Sequence, residues 1–445
     1  MRILSVMVVL TLMATLAIAG QSASPSAQTA QAQVTFSKDV APILQERCQT
    51  CHHPGTFAPM SLVTYEESRP WAKSIKQKIL AREMPPWHID KNVGVQQFSN
   101  DISLSDEEIA VIVKWVDSGA PQGNPADMPQ PRKFEDKETW QIGQPDLIIN
   151  LPKDFVVKAN APDQWPDILV DPGLTEDRYI RGVQIIPIKG FPVIHHIRTS
   201  IVEAVDQTRN SGQLDGTDGA LAVGEQGVFL NEYAIGKRGD VFPDGSGRLI
   251  KAGTKVNFQM HLHAVGKETP LNVALALKFY PKGYVPNHVI SSTTVSVAEI
   301  DLRPNTDNIR SDGYLTLAKA TRLLSFQPHM HNRGKAECLE AIYPTGKSEM
   351  LSCARFYFNW HINYVYHDDA APLLPAGTVL HSISWHDNTA ANKFNPDPDA
   401  QITWGQRTID EMGSAWISWY YMSDQDFKKE TDARKAKRQA LSSSR

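Results

Sequence analysis

Residues 271–280, Leu271-Asn272-Val273-Ala274-Leu275-Ala276-Leu277-Lys278-Phe279-Tyr280, form a short apolar run rich in strand-forming side chains. They are closed off by Pro270 and Pro281. That is the texture of a buried strand rather than of an amphipathic helix. Working outward from it, similar alternating or β-branched runs recur at 147–149, 182–187, 256–260, 295–300 and 378–385. Gly, Pro, Asn and Asp separate them, and no long amphipathic helix intervenes. Nearly 290 residues of this pattern, from Trp140 onward, predict an all-β region made of two sandwiches, placed at 140–298 and 299–425.

Upstream the texture is different. Residues 36–45, 65–82 and 109–118 read as helices, the last opened by the N-cap and acidic first turn Ser105-Asp106-Glu107-Glu108. A small all-α domain is therefore expected over 34–123, with a Pro-rich linker at 124–139. At the start, Arg2 precedes an apolar run from Ile3 to Ala19 that ends in Ala17-Ile18-Ala19, which reads as a cleaved signal peptide, 1–19. Small polar residues 20–33 would be a flexible leader, and 426–445 a polar, basic tail. The expected product is exported to the periplasm or beyond, with no stable membrane span after cleavage. Composition agrees with a globular chain of 445 residues: 41% hydrophobic, 21% charged, and a net charge of −4 with no basic run in its body. A nucleic-acid partner is not expected.

Four cysteines in so long an exported chain exclude a disulfide scaffold. Cys48-Gln49-Thr50-Cys51-His52 is a C-x-x-C-H signature. The two thiols at this spacing can form thioethers to haem c, and His52 is placed to be its proximal iron ligand. The helical domain is on this account a cytochrome c-like one. Met84, in Arg82-Glu83-Met84-Pro85-Pro86, is the preferred sixth ligand because the prolines would stiffen its loop, and Met60 remains the alternative. Small cytochromes c are similar there.

The histidines supply the chemistry of the β region. His195-His196, His261 with His263, and His329 with His331 fall in three tight groups. Residues i and i+2 of a strand share a face, so an H-x-H pair directs two imidazoles at one ion. Adjacent His195 and His196 can share an ion only at a bend or strand end. Imidazole suits Zn, Cu, Ni or Fe, and a thioether such as Met412, in an otherwise polar stretch, is soft and favours Cu(I). His361, His381 and His386 read as structural or supporting.

Taken in order, His195-His196, Gln259-Met260-His261, His329-Met330-His331 with Arg333-Gly334-Lys335, and Asp410-Glu411-Met412 before the aromatic stretch 416–421 carry a resemblance. Residues 140–422 resemble the copper type II, ascorbate-dependent monooxygenases, the family of peptidylglycine α-hydroxylating monooxygenase and dopamine β-monooxygenase, in its bacterial branch. The resemblance implies two jelly-roll-like sandwiches and two copper ions. An electron-transfer copper would be held by His195, His196 and His261, and an oxygen-binding copper by His329, His331 and Met412. By geometry alone His263 competes with His261, and the family pattern picks His261.

The implied reaction is hydroxylation of a C–H bond of a small molecule by dioxygen, which needs two electrons. The family takes them from ascorbate, and here the haem is a candidate donor on the same chain. Gln327 and Trp416 stand where peptide-amidating members carry Arg and Tyr, which argues against a glycine-extended peptide as substrate. Cys338 and Cys353 flank Tyr343-Pro344-Thr345-Gly346-Lys347 and would lie opposite one another, as a disulfide, if the turn centres on Thr345-Gly346. The competing expectation is a non-catalytic periplasmic haem/copper electron-transfer protein, which would take up copper without substrate-coupled oxygen consumption.

Overall fold

The structure, a computed structural model, describes residues 33–54, 56, 58–134, 140–203, 228–234, 237 and 239–443. The expected signal peptide, 1–19, the expected leader up to residue 32 and residues 135–139 of the expected linker lie outside the described residues. No helix of the described residues is long and apolar enough to cross a membrane.

The principal strands, in chain order, are β1 (Leu147–Asn150), β2 (Arg178–Lys189), β3 (Ile194–Val202), β4 (Val228–Ala234), β5 (Ser246–Ile250), β6 (Lys255–Leu262), β7 (Thr269–Phe279), β8 (His288–Ser296), β9 (Thr321–Met330), β10 (Gly334–Ile342), β11 (Ser348–Arg355), β12 (Val379–His386) and β13 (Gly413–Tyr421). An eleven-stranded sheet runs β1-β7-β2-β5-β8-β13-β9 and ends on Tyr364–Val365. Two four-stranded sheets face it. One, Asp167–Val170 with β6, β3 and β4, covers the first half; the other, Ile309–Thr316 with β12, β10 and β11, covers the second. The apolar run that begins at Leu271 is β7, wedged between β1 and β2 with Leu271, Val273, Leu275 and Leu277 fully buried. Burial on both sides is what its near-continuous apolar sequence requires.

Each facing pair encloses one core. Val183, Ile197, Phe258 and Leu275 lie in the first, and Phe326, Leu339, Leu380 and Trp419 in the second. The halves are nonetheless joined along the sheet. β8 pairs parallel with β5 at His288 and Val289, and antiparallel with β13 over Ile290–Ser296 against Tyr420–Ser414.

These findings correct the expected fold class, multidomain with a small all-α cytochrome c-like domain followed by two all-β jelly-roll-like sandwich domains. The described residues are mostly β, with 38% of them in strands and 17% in helices, and among them no sizeable all-α domain precedes the sheets. The N-terminal α-helices Ala41–Arg47, Tyr65–Ser68, Ala72–Leu80 and Asp106–Asp117 are short. They share a small core around Phe36, Leu44, Ile112 and Trp115. Between the last two helices the chain leaves them and lies against the β body. Asp90 N–H donates to Cys353 O (2.8 Å), Val95 N–H to Leu351 O (2.8 Å) and Ser99 N–H to Val365 O (2.8 Å). Trp87, Ile89 and Phe98 belong to the second β core. The physical reason is that the stretch around Trp87 is apolar but carries no helical period, so it buries its side chains by joining sheets.

Candidate metal centre

β3 brings His195 and His196 to the inner edge of its sheet, and β6 brings His261 beside them. His196 pairs directly with His261, and the register shifts between Ile194 and His196. That bulge at His195 turns its ring back toward its neighbour, the bend that adjacent ligands need. The three ring centroids stand 4.8 to 5.3 Å apart, and their candidate ligand atoms all lie within 4.8 Å of one another. His195 Nδ1 and His196 Nδ1 are 3.1 Å apart. Trp165 stacks on His261 and Phe358 on His195. The Asp163 carboxylate (3.2 Å) and the Thr408 hydroxyl (3.1 Å) meet His261 Nε2 and fix its ring. His263 is not gathered into this group; its backbone N–H donates to Val193 O.

His329 and His331 sit at the end of β9, both buried, with ring centroids 5.6 Å apart. Two buried carboxylates hold the backbone around them. Glu337 accepts from His329 N–H (3.1 Å) and from the Ser382 and Ser384 hydroxyls; burial pushes its carboxyl up to about 8. Glu411, pushed up to about 7 by burial, accepts from the backbone N–H groups of His331, Arg333 (2.8 Å) and Met412 (3.0 Å). Met412 is thereby tied to His331 through one carboxylate. Its carbonyl accepts from His386 Nε2 (3.1 Å). Gly413 follows because a Cβ there would come within 2.7 Å of Ser384 Oγ, so only glycine lets β13 start this close to β12. His329 and Met412 both line a cavity of about 1990 Å³, together with Gln327, Trp416 and Phe229.

The two groups meet. His196 and His329 have ring centroids 6.3 Å apart, and His361, from the connection after β11, stands 5.5 Å from His195, 5.7 Å from His196 and 5.3 Å from His329. Sequence reading treated His361 as structural and did not single out Glu232 of β4. The structure gathers Glu232, His329 and His361 with ligand atoms within 4.8 Å of one another. Neither residue sits in a paired motif, so no local spacing could have marked them. His381, by contrast, is fully engaged by Glu340 (2.8 Å) and Asp312 (2.7 Å).

Burial sets the protonation of this cluster. It drives His195 down to about 2, His331 to about 4, and His196 and His329 well below the usual imidazole range, with neighbouring imidazoles adding to the effect. Neutral rings keep their lone pairs for a cation. His329 Nδ1 and both ring nitrogens of His361 are buried without a hydrogen-bond partner. Orphaned nitrogens amid neutral imidazoles and a thioether are a donor set that fits copper.

The C-x-x-C-H motif is a tight turn after helix Ala41–Arg47: Cys51 N–H (3.1 Å) and His52 N–H (3.0 Å) both donate to Cys48 O. Neither Cys48 nor Cys51 is in a disulfide. His52 Nδ1 lies 3.2 Å from Met60 O, a bond that leaves Nε2 as the ring's coordinating atom. Two thiols outside any disulfide and a ring fixed in this way fit covalent haem. Met60 is thus engaged through its carbonyl, whereas Met84 lines a separate cavity of about 360 Å³ with Arg82, Trp87 and His88. Cys51, Thr50 and His53 open onto the same large cavity as His329 and Met412. Cys338 and Cys353 are disulfide-bonded across β10 and β11.

No family model matches this chain, and no curated protein matches it. Among solved structures, the major capsid protein P2 of bacteriophage PM2 is similar at a TM-score of 0.26 and 9% identity, over 62% of this chain and 98% of that one. Infectious bursal disease virus, Gx strain, gives 0.19 and 5%, over 63% and 73%. A xanthan lyase from Paenibacillus gives 0.14 and 11%, over 68% and 28%. Likenesses this weak bear on no residue of the site.

Proposed function

We propose that this chain is an exported copper-dependent monooxygenase that hydroxylates a C–H bond of a small organic substrate with dioxygen. The observation that carries the reading is the gathering of His195, His196 and His261, with the His196 and His329 rings 6.3 Å apart, beside a large cavity that His329 and Met412 both line. When bound, copper would supply one-electron redox chemistry toward dioxygen, and haem on Cys48 and Cys51 a further one-electron carrier on the same chain.

The protein's own residues do the rest. Three neutral imidazoles at His195, His196 and His261 accommodate both copper oxidation states, whereas the Met412 thioether, on the cavity that His329 also lines, favours the reduced one. Glu411 and Glu337 hold the backbone of His331, Met412 and His329 from the side away from the cavity. Trp416, Phe229 and Gln327 wall the cavity with aromatic surface and one amide, suited to an apolar substrate bearing a polar group. His53 and Cys51 on that cavity's wall put the haem-attachment turn and the histidines around one space, which supports electron delivery within the chain.

Metal content of the purified exported form tests this. The native chain is expected to hold two copper per haem iron. His261→Ala should lose one, and Met412→Ile should lose substrate-dependent oxygen uptake. One copper or none per haem would overturn the reading, and two copper without such uptake in the native chain would leave an electron carrier.

A further inference from the structure

The donor group that no motif announced is the one between the two copper sets. We propose that Glu232, His329 and His361 form a further metal site, two imidazoles and one carboxylate, which shares His329 with the Met412 set, for a divalent ion of borderline hardness such as Zn(II) or Fe(II).

The three residues come from separate elements: Glu232 from the middle of β4, His329 from the end of β9, and His361 from the connection that follows β11. They are 2%, 6% and 3% exposed, so water does not satisfy them. Gln327 Nε2 donates to one Glu232 oxygen; the other faces His361 Nδ1 at 3.7 Å, too long for a hydrogen bond. Both His361 nitrogens and His329 Nδ1 lack hydrogen-bond partners, and all three side chains offer atoms within 4.8 Å of one another. Buried polar groups in native proteins are almost always satisfied. One divalent ion at the centre would take one nitrogen each from His329 and His361 and an oxygen of Glu232, and would offset the carboxylate charge.

Two His and one carboxylate is a donor set used for Zn(II) and for non-haem Fe(II). It is harder than the Met412 set. His329 belongs to both, so the two sets compete: the thioether side selects Cu(I), and the carboxylate side selects divalent ions. The inference goes beyond the copper reading and does not rest on it.

The test loads metal-free full-length chain with Zn(II) by equilibrium dialysis, and with Co(II) for its visible d–d bands. The native chain should bind one more equivalent than Glu232→Gln or His361→Ala, and its Co(II) spectrum should lose one component in each. Met412→Ile should match the native chain, and His261→Ala should lack a different equivalent. Uptake and spectra unchanged in correctly folded Glu232→Gln and His361→Ala would overturn the proposal. If those variants do not fold, zinc-edge X-ray absorption of His261→Ala decides: a nitrogen/oxygen shell supports the site, and a sulfur shell or no zinc overturns it. Copper-to-iron ratios are read separately, so failure of the copper reading leaves this result standing.

Discussion

At the scale of single residues, burial decides which groups can carry charge. His88 shows it away from the metal centre. It is 7% exposed, its ring stacks on Tyr357, and its backbone N–H donates to the Tyr364 hydroxyl (3.2 Å). Burial, helped by the Arg355 cation, pushes its imidazole down to about 4. In the unfolded chain His88 takes up a proton near its ordinary 6.5, so between that pH and about 4 the unfolded state binds more protons. Its contribution to stability is therefore whole above pH 6.5 and is lost as pH falls toward 4, to the extent of about 3 kcal/mol at 1.36 kcal/mol per pH unit. Urea midpoints at pH 7 and pH 4.5 should lie closer together for His88→Gln than for the native chain. Equal shifts in the two proteins would show that the ring is not what resists acid. The same physics was only partly legible in the sequence. Paired ligands such as His329 and His331 announce themselves because period-two spacing is a local property of strands. Glu232 and His361 do not, since each reaches the centre alone and only tertiary packing brings them together.

At the scale of elements, the hairpin of β10 and β11 shows a correct pairing reached by a different route. The sequence places Cys338 opposite Cys353 if the turn centres on Thr345-Gly346. The structure instead pairs Tyr343 with Lys347 around Pro344, Thr345 and Gly346, with Gly346 at φ +81°, and a register shift between Leu339 and Glu340 restores the cysteines to opposite positions. A three-residue loop with a left-handed glycine and a compensating bulge is ordinary hairpin geometry, but a bulge has no sequence signal of its own. Removing the bond with Cys338→Ala/Cys353→Ala should lower stability by about 2–3 kcal/mol, the scale expected for a loop of about 15 residues. Denaturant unfolding measures it, and an unchanged midpoint would mean the strand pairing alone sets the hairpin. The stretch around Trp87 makes the complementary case. Its tie to the second core is invisible to periodicity because its side chains satisfy the needs of distant strands. Trp87→Ala should cost about 3–5 kcal/mol, typical of a large buried aromatic, and the loss should appear in unfolding of the β body. A loss confined to the N-terminal helices would contradict the observed packing.

At the scale of the whole molecule, strand content from Trp140 onward was legible, but the joining of the halves was not, because pairing partners across long separations leave no pattern in either strand. β8 falls within 140–298 by sequence, yet its longer partner is β13, more than a hundred residues later. Dividing the chain after residue 298 would strip seven paired residues from β8, expose Ile290 and Val295, and leave β13 with one bare edge. Bare apolar edges pair with whatever strand is available, so each half alone should aggregate. The metal centre is divided by the same cut, with His195, His196, His261 and Glu232 on one piece and His329, His331, His361 and Met412 on the other. Fragments 140–298 and 299–445, expressed apart, should be insoluble or lack native near-UV dichroism; expressed together, they should recover both the fold and the joint centre. The intact chain should accordingly unfold its β body in one calorimetric transition, with calorimetric and van't Hoff enthalpies in agreement. Two resolved transitions, with either fragment folding reversibly by itself, would show that the sheet is continuous in hydrogen bonding but not in energy, and the centre would then have to be assembled after folding rather than during it.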